Sequence, residues 1–265
     1  DHYPYNSTGS DGNTRLIPAW VAGAEIESFA ASDGGTNWAH AVLQILDDPT
    51  QAGRLRADVA HEITRRGEPE NIVVMEYPDQ DAVGLSLAEL GASRDLTPVE
   101  LGIQLQLEGF EDRRGGAGLR GYSLSEVDVE AYAGQGWMAT ASDAGIALPG
   151  DGFVHARFYG TFPRKIRRYA IERRALSVED AIRSMTSLPA QILGLRNRGL
   201  LREGFHADVA VIDLDAVRDR ATFFEPHQYA DGIEHVLIGG EAVVEDGEPT
   251  GALPGRVITP DDARR

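Results

Sequence analysis

Polar and apolar positions fall into two regimes along the chain. Up to about residue 195, helical spacings of apolar residues alternate with short continuous apolar runs, and after Asn197 strand-like runs are punctuated by glycines. Asp47 to Arg66 is polar with a weak helical period. Asn71-Ile72-Val73-Val74-Met75-Glu76-Tyr77 predicts a buried strand closed by Pro78. Leu85 to Leu90 predicts a short helix, and Thr97-Pro98-Val99-Glu100 opens another that runs through Leu107. There Thr97 is the N-cap, Pro98 takes the first helical position and Glu100 completes a capping box. Ser125 caps a helix to about Ala133, with acidic residues near its start where the macrodipole favours them. Gly136 to Ala141 predicts a short strand ending at Ser142-Asp143. A loop with glycines at 145, 150 and 152 follows, reaching Gly160-Thr161-Phe162-Pro163, and a helix over Arg164 to Arg173. Ser177 caps a further helix to about Leu195 that Pro189 kinks or divides.

Beyond Asn197, Asp208 to Asp213 and Ile233 to Ile238 predict strands, and Gly239-Gly240 is a hairpin turn into Ala242-Val243-Val244-Glu245. The order predicts an α/β fold, a parallel α/β domain with a small β appendage. At 265 residues the chain makes one large domain or two modest ones. The net charge of −17 opposes binding to DNA, RNA or an anionic membrane surface. No apolar run approaches the roughly 20 residues that span a bilayer. Cysteine is absent, which removes disulfides, thiolate zinc sites and cysteine nucleophiles, and suits a cytoplasmic protein. The first residues are neither a Met start nor a signal peptide, so a processed chain or a piece of something longer is expected. Lys165, the sole lysine, lies in an arginine-rich stretch to Arg174 that reads as a solvated helix face or a local anion site.

Asp143 is the leading chemical candidate. In parallel α/β folds ligands sit at the carboxyl ends of strands, where a carboxylate ligates a metal or shuttles protons. The alternative is a side chain that caps its own loop. None of the seven histidines stands two or four residues from another, so a zinc site from this chain alone needs distant histidines. His155 and Arg157 share the loop after Asp143, where the two-pronged guanidinium either binds a substrate carboxylate or stands in solvent. Tyr3 and Tyr5 flank Pro4, and the following Asn6-Ser7-Thr8-Gly9-Ser10 either lines a pocket, with Ser10 as a substrate contact, or joins a packed aromatic cluster. There is no P-loop, dinucleotide fingerprint or serine nucleophile elbow.

Asp1-His2-Tyr3-Pro4-Tyr5, Ala141-Ser142-Asp143 and the run from His155 to Arg164 together resemble the N-acyl-D-amino-acid deacylases of the amidohydrolase superfamily. Met185 to Ala190, Arg198 to Gly204, Arg218 to Phe223, Val243 to Gly247 and Pro254 to Val257 continue the resemblance in order. It implies the C-terminal portion of a (β/α)₈ TIM-like barrel over residues 1–196 and the C-terminal part of a small β-sandwich domain over 197–265. It also implies zinc-dependent hydrolysis of N-acyl-D-amino acids, with Asp143 as a metal ligand and as the group handling the proton of the metal-bound water. Tyr3 and Arg157 then hold the substrate's α-carboxylate, with His155 and Ser10 beside them. The usual Ser-Asp-Gly and His-Pro-Arg are Ser142-Asp143-Ala144 and His155-Ala156-Arg157 here. The remaining zinc ligands belong to the half of the family protein that this chain lacks, and open strand edges in a half-barrel call for an N-terminal partner polypeptide. A dipeptidase, a cyclic-amide hydrolase and a non-catalytic partner-binding half are the competing readings.

Overall fold

The structure, a computed structural model, describes residues 1–8, 15–21, 36–110 and 116–259. It divides into two compact units. One comprises Asn6–Leu124 with Gly152–His155, the other Asp1–Tyr5, Ser125–Asp151 and Ala156–Arg265. Ser10 lies outside the described residues.

The unit built on Asn6–Leu124 is a helical layer against a two-stranded antiparallel sheet. Helix α1 (Thr36–Asp47) leads into α2 (Pro49–Arg65), which starts where Asp48 accepts hydrogen bonds from the Thr50 and Gln51 amides and Pro49 sits just inside the end. The weak period of α2 suffices because Ala52, Leu55, Val59 and Ile63, spaced three or four apart, form its buried stripe. That stripe packs on Leu16, Leu101 and Leu105. Helix α4 (Pro98–Leu107) has the expected bounds, and Thr97 accepts from the Glu100 amide. Glu100 itself turns to Arg56 at 2.7 Å, an ion pair that takes its carboxylate away from the cap. The full capping box forms instead at Ser86 and Glu89, ahead of α3 (Leu87–Arg94). Strand β1 (Ile72–Glu76) is the expected buried strand, and it pairs antiparallel with β2 (Gly118–Gly121).

In the other unit, Asp1–Tyr5 runs extended beside the segment after α5 (Glu126–Ala133). The His2 amide donates to the Ala139 carbonyl at 3.0 Å and the Ala141 amide to the His2 carbonyl at 3.1 Å. This is an isolated parallel bridge, and Gly136 to Ala141 does not extend into the predicted strand. The chain is still turning at its start, with the Met138 amide bonded back to Gln135, and Thr140 spends its amide on the Ser184 carbonyl. Every strand pair among the described residues is antiparallel. The parallel sheet read from the alternating order is therefore represented by that one bridge.

The expected helix over Arg164 to Arg173 starts earlier. Helix α6 (Arg157–Arg164) opens at Arg157 and continues as a π-helical stretch over Lys165–Glu172. Pro163 lies inside α6 rather than at a helix start. Its missing N–H leaves the Tyr159 carbonyl without its helical partner, and the wider π turns follow directly. The last long helix is divided, as the proline suggested, into α7 (Val178–Met185) and α8 (Ser187–Ile192), but the break falls at Thr186 (φ −131°, ψ −88°). Pro189 is accommodated in the first turn of α8, where an N–H has no helical partner anyway.

A four-stranded antiparallel sheet of β3 (Val209–Ile212), β4 (Ile233–Ile238), β5 (Glu241–Glu245) and β6 (Glu248–Pro249) closes the chain in that order. The predicted Gly239-Gly240 turn joins β4 to β5 with φ of +61° and +87°, values that favour glycine at both positions.

One close approach fixes Asp1–Tyr5 to α6. A Cβ on Gly160 would stand 2.2 Å from Tyr5 Oη and 3.1 Å from Asp219 Cβ. Gly160→Ala is expected to destabilise the protein by about 1–3 kcal/mol through overpacking, read as a lower thermal midpoint by circular dichroism. An unchanged midpoint would mean that Tyr5 does not hold this position.

Candidate functional site

Three sequence candidates meet within one unit. Arg157, the first residue of α6, places its guanidinium 4.6 Å from the ring centroid of Tyr3. Arg157 Nη1 lies 3.0 Å from Asp143 Oδ2. The exposures are unequal: the arginine side chain keeps 6% of its surface and the aspartate 68%. A nearly buried cation stacked on an aromatic face thus offers its open edge to a carboxylate that stands mostly in water. Asp143 has φ of +46°, the left-handed region that aspartate tolerates better than most side chains. Chemically, such a guanidinium can hold a carboxylate, and Asp143 presents an accessible one beside it.

The segment carrying Tyr3 is tied down by the other end of α6. Arg164 Nε donates to the Pro4 carbonyl at 2.8 Å, Arg164 pairs with Asp219 at 3.0 Å, and its guanidinium stands 4.7 Å from the Tyr5 ring centroid. Burial and the Asp219 charge push the Tyr5 hydroxyl well above the usual phenol range. The rest of the basic stretch is only partly a solvated face: Arg173 and Arg174 are exposed, while the side chains before them are engaged. Arg167 donates to the carbonyls of Leu214, Asp215 and Val217, and Arg168 binds Glu126. Lys165 is buried, donates to the Ala133 carbonyl at 2.8 Å, and is pulled down to about 8 by desolvation.

His155 belongs to the other unit. It is fully buried, and its Nε2 lies 2.8 Å from Ser7 Oγ. The polar run after Tyr5 is engaged there too, with Thr8 Oγ1 bonded to Ser123 Oγ at 2.6 Å and Arg66 Nη1 donating to it at 3.2 Å. Tyr159 was not singled out in the sequence, although it sits two residues after Arg157. Its hydroxyl donates to the Ala147 carbonyl in the loop that follows Asp143. Among the described residues no three His, Cys, Asp or Glu side chains come together as a metal-ligand set. Asp143 is an accessible oxygen ligand, but by itself it does not make a metal centre.

The profile of the amidohydrolase family matches residues 76–244, which include Asp143 and Arg157. The chain belongs to the amidohydrolase family. Among curated amidohydrolase relatives, it is 40% identical to an N-acyl-D-aspartate deacylase of Alcaligenes xylosoxydans xylosoxydans over 171 residues, 64% of this chain and 34% of that protein. It is 33% identical to an N-acyl-D-glutamate deacylase of the same organism over 240 residues, 85% of this chain and 46% of that one. The solved structure of N-acyl-D-glutamate deacylase from Bordetella bronchiseptica, complexed with zinc and a phosphonate mimic of the tetrahedral intermediate, is similar with a TM-score of 0.54 and 31% identity. That likeness covers 70% of this chain and 38% of the other. This amidohydrolase chain therefore spans between a third and a half of the length of the curated relatives it matches. No helix among the described residues is long and apolar enough to cross a membrane.

His2, next to Tyr3, has both ring nitrogens shielded from solvent and without a hydrogen-bond partner. Burial first, and the Lys165 charge second, lower it to about 4. The folded state holds this imidazole neutral, whereas the unfolded chain protonates it near 6.5. The sign follows: its contribution to stability is complete above pH 6.5 and is lost as pH falls towards 4. His2→Gln is expected to flatten the stability profile over that window by up to about 3 kcal/mol, measured by urea unfolding at a series of pH values. Parallel wild-type and variant profiles would contradict it.

Proposed function

We propose that this chain is the C-terminal part of a metal-dependent deacylase that hydrolyses N-acyl-D-amino acids to a carboxylate and a free D-amino acid. The observation that carries the reading is the buried Arg157 guanidinium held against Tyr3 with its open edge on the accessible Asp143 carboxylate. Deacylase relatives with this substrate class add support. In this reading residues 1–196 are the second half of the barrel and 197–265 belong to the small β domain. Zinc is the metal, its other ligands come from an N-terminal half on a separate polypeptide, and the assembled enzyme is cytoplasmic.

Arg157 receives the α-carboxylate of the substrate, with the Tyr3 ring covering the guanidinium face and excluding water from it. A carboxylate already lies on that edge at 3.0 Å, so the geometry accepts one. Asp143 then exchanges Arg157 for the attacking water, takes its proton, and returns that proton to the leaving amine. Zinc, when bound, supplies polarisation of the amide carbonyl and a more acidic water. The reading gives no role to His155, which is buried against Ser7, or to Ser10.

The test is a steady-state assay of the assembled enzyme on N-acetyl-D-, N-acetyl-L- and cyclic amide substrates. Turnover is expected on the D-series. Asp143→Asn is expected to lower kcat by about 10²–10⁴-fold, the range for a lost general acid/base, without loss of fold. Near-normal turnover removes Asp143 from the chemistry. Arg157→Ala is expected to raise KM at least about tenfold for substrates with a free α-carboxylate and to spare those in which it is blocked, as loss of a charged hydrogen bond predicts. A KM unchanged for both removes Arg157 from the pocket.

A further inference from the structure

The loop after Asp143 has little of its own to hold it. It carries glycines at 145, 150 and 152, and at 150 and 152 a Cβ would meet nothing within 4 Å. Its apolar side chains Ile146 and Leu148 are exposed rather than packed. Two hydrogen bonds close it on itself, from the Leu148 amide to Asp151 Oδ2 at 2.7 Å and from the Asp151 amide to the Leu148 carbonyl at 3.0 Å. Neither ties it to the rest of its unit. Tyr159 ties it to α6, its hydroxyl donating to the Ala147 carbonyl at 2.7 Å. Because that proton is committed to Ala147, His227 Nδ1, 3.2 Å from the same oxygen, meets it as the donor. The ring is held edge-on by His227 and Tyr229, with centroids at 5.5 and 5.6 Å.

We propose that Tyr159 is a positioning residue for Asp143, acting through its hydrogen bond to the Ala147 carbonyl. The first turn of α6 grips the loop at two points four residues apart, through Arg157 at Asp143 and through Tyr159 at Ala147. The inference rests on the functional reading above for its consequence. When the substrate carboxylate takes Arg157, Asp143 loses its ion pair, and the Tyr159 tether is what keeps its carboxylate near the scissile bond. Its loss therefore acts after substrate binding, on turnover.

Tyr159→Phe removes the hydroxyl and keeps the ring. In the 265-residue chain, hydrogen exchange read by mass spectrometry is expected to quicken about three- to tenfold over residues 144–151, the shift for one lost hydrogen bond, and to stay unchanged in α7. Unchanged exchange in the loop overturns the proposal. Uniformly faster exchange throughout the chain also overturns it, because it assigns Tyr159 to general stability. In the assembled enzyme the same variant is expected to lose kcat by about tenfold with KM within about twofold, as misplacement of a reacting group does. A rise in KM with kcat intact overturns the catalytic consequence. Wild-type enzyme inactive on every N-acyl-D-amino acid would sink the functional reading instead, and loop exchange would then decide the tether alone.

Discussion

A guanidinium that has left water needs an anion, and much of the candidate site depends on how Arg157 meets that need. Taking a charged group out of water carries a desolvation cost that hydrogen bonds and a counter-charge offset. Arg157 begins α6, lies over Tyr3 and keeps 6% of its side-chain surface. A carboxylate meets it at 3.0 Å. The chain supplies one from a loop whose residue at that point adopts the left-handed conformation, so the need for an anion and the strained backbone at Asp143 are two sides of one arrangement.

The same helix carries the constraint outward. Gly160 lets Tyr5 approach, and Arg164 ties Pro4 to Asp219. Tyr3 is two residues from Tyr5, so its position over Arg157 follows from these contacts rather than from strand pairing, which in this segment is a single parallel bridge. The arginine-rich stretch finds its purpose here. Its side chains serve as struts between the helix, the first five residues and the segment before β4.

What the sequence made legible divides along physical lines. Several signals that act within a few residues match the structure, including the Ser177 cap, the Pro98 start and the Gly239-Gly240 turn, whereas Ser125 precedes α5 without a side-chain capping bond. Signals decided by tertiary partners do not match it. Glu100 completes a capping box on paper, yet an arginine on α2 outbids the cap. Pro163 reads as the end of a loop ahead of a helix, yet the helix forms through it and widens into π turns. At the site, Asp143, Arg157 and Tyr3 are legible as residue types in a family pattern, and the structure brings the three together. Tyr159 was not legible, because its role is a contact to a backbone carbonyl and leaves no trace in residue type. His155 was legible only as a histidine near Arg157, and its burial against Ser7 is a tertiary fact.

The unequal exposure of Asp143 and Arg157 bears on how the pair can open. An ion pair with one exposed member is worth little, about 0–1 kcal/mol, because water solvates the released carboxylate. Exchanging Asp143 for another carboxylate on Arg157 costs the aspartate almost nothing, while the arginine is never left without an anion. On the proposed function, the intramolecular pair is a placeholder on Arg157 that a ligand bearing the same group displaces. A buried aspartate would hold Arg157 shut, and an exposed arginine would not need holding. Only the combination of a buried cation with an exposed anion gives a site that is both preorganised and available.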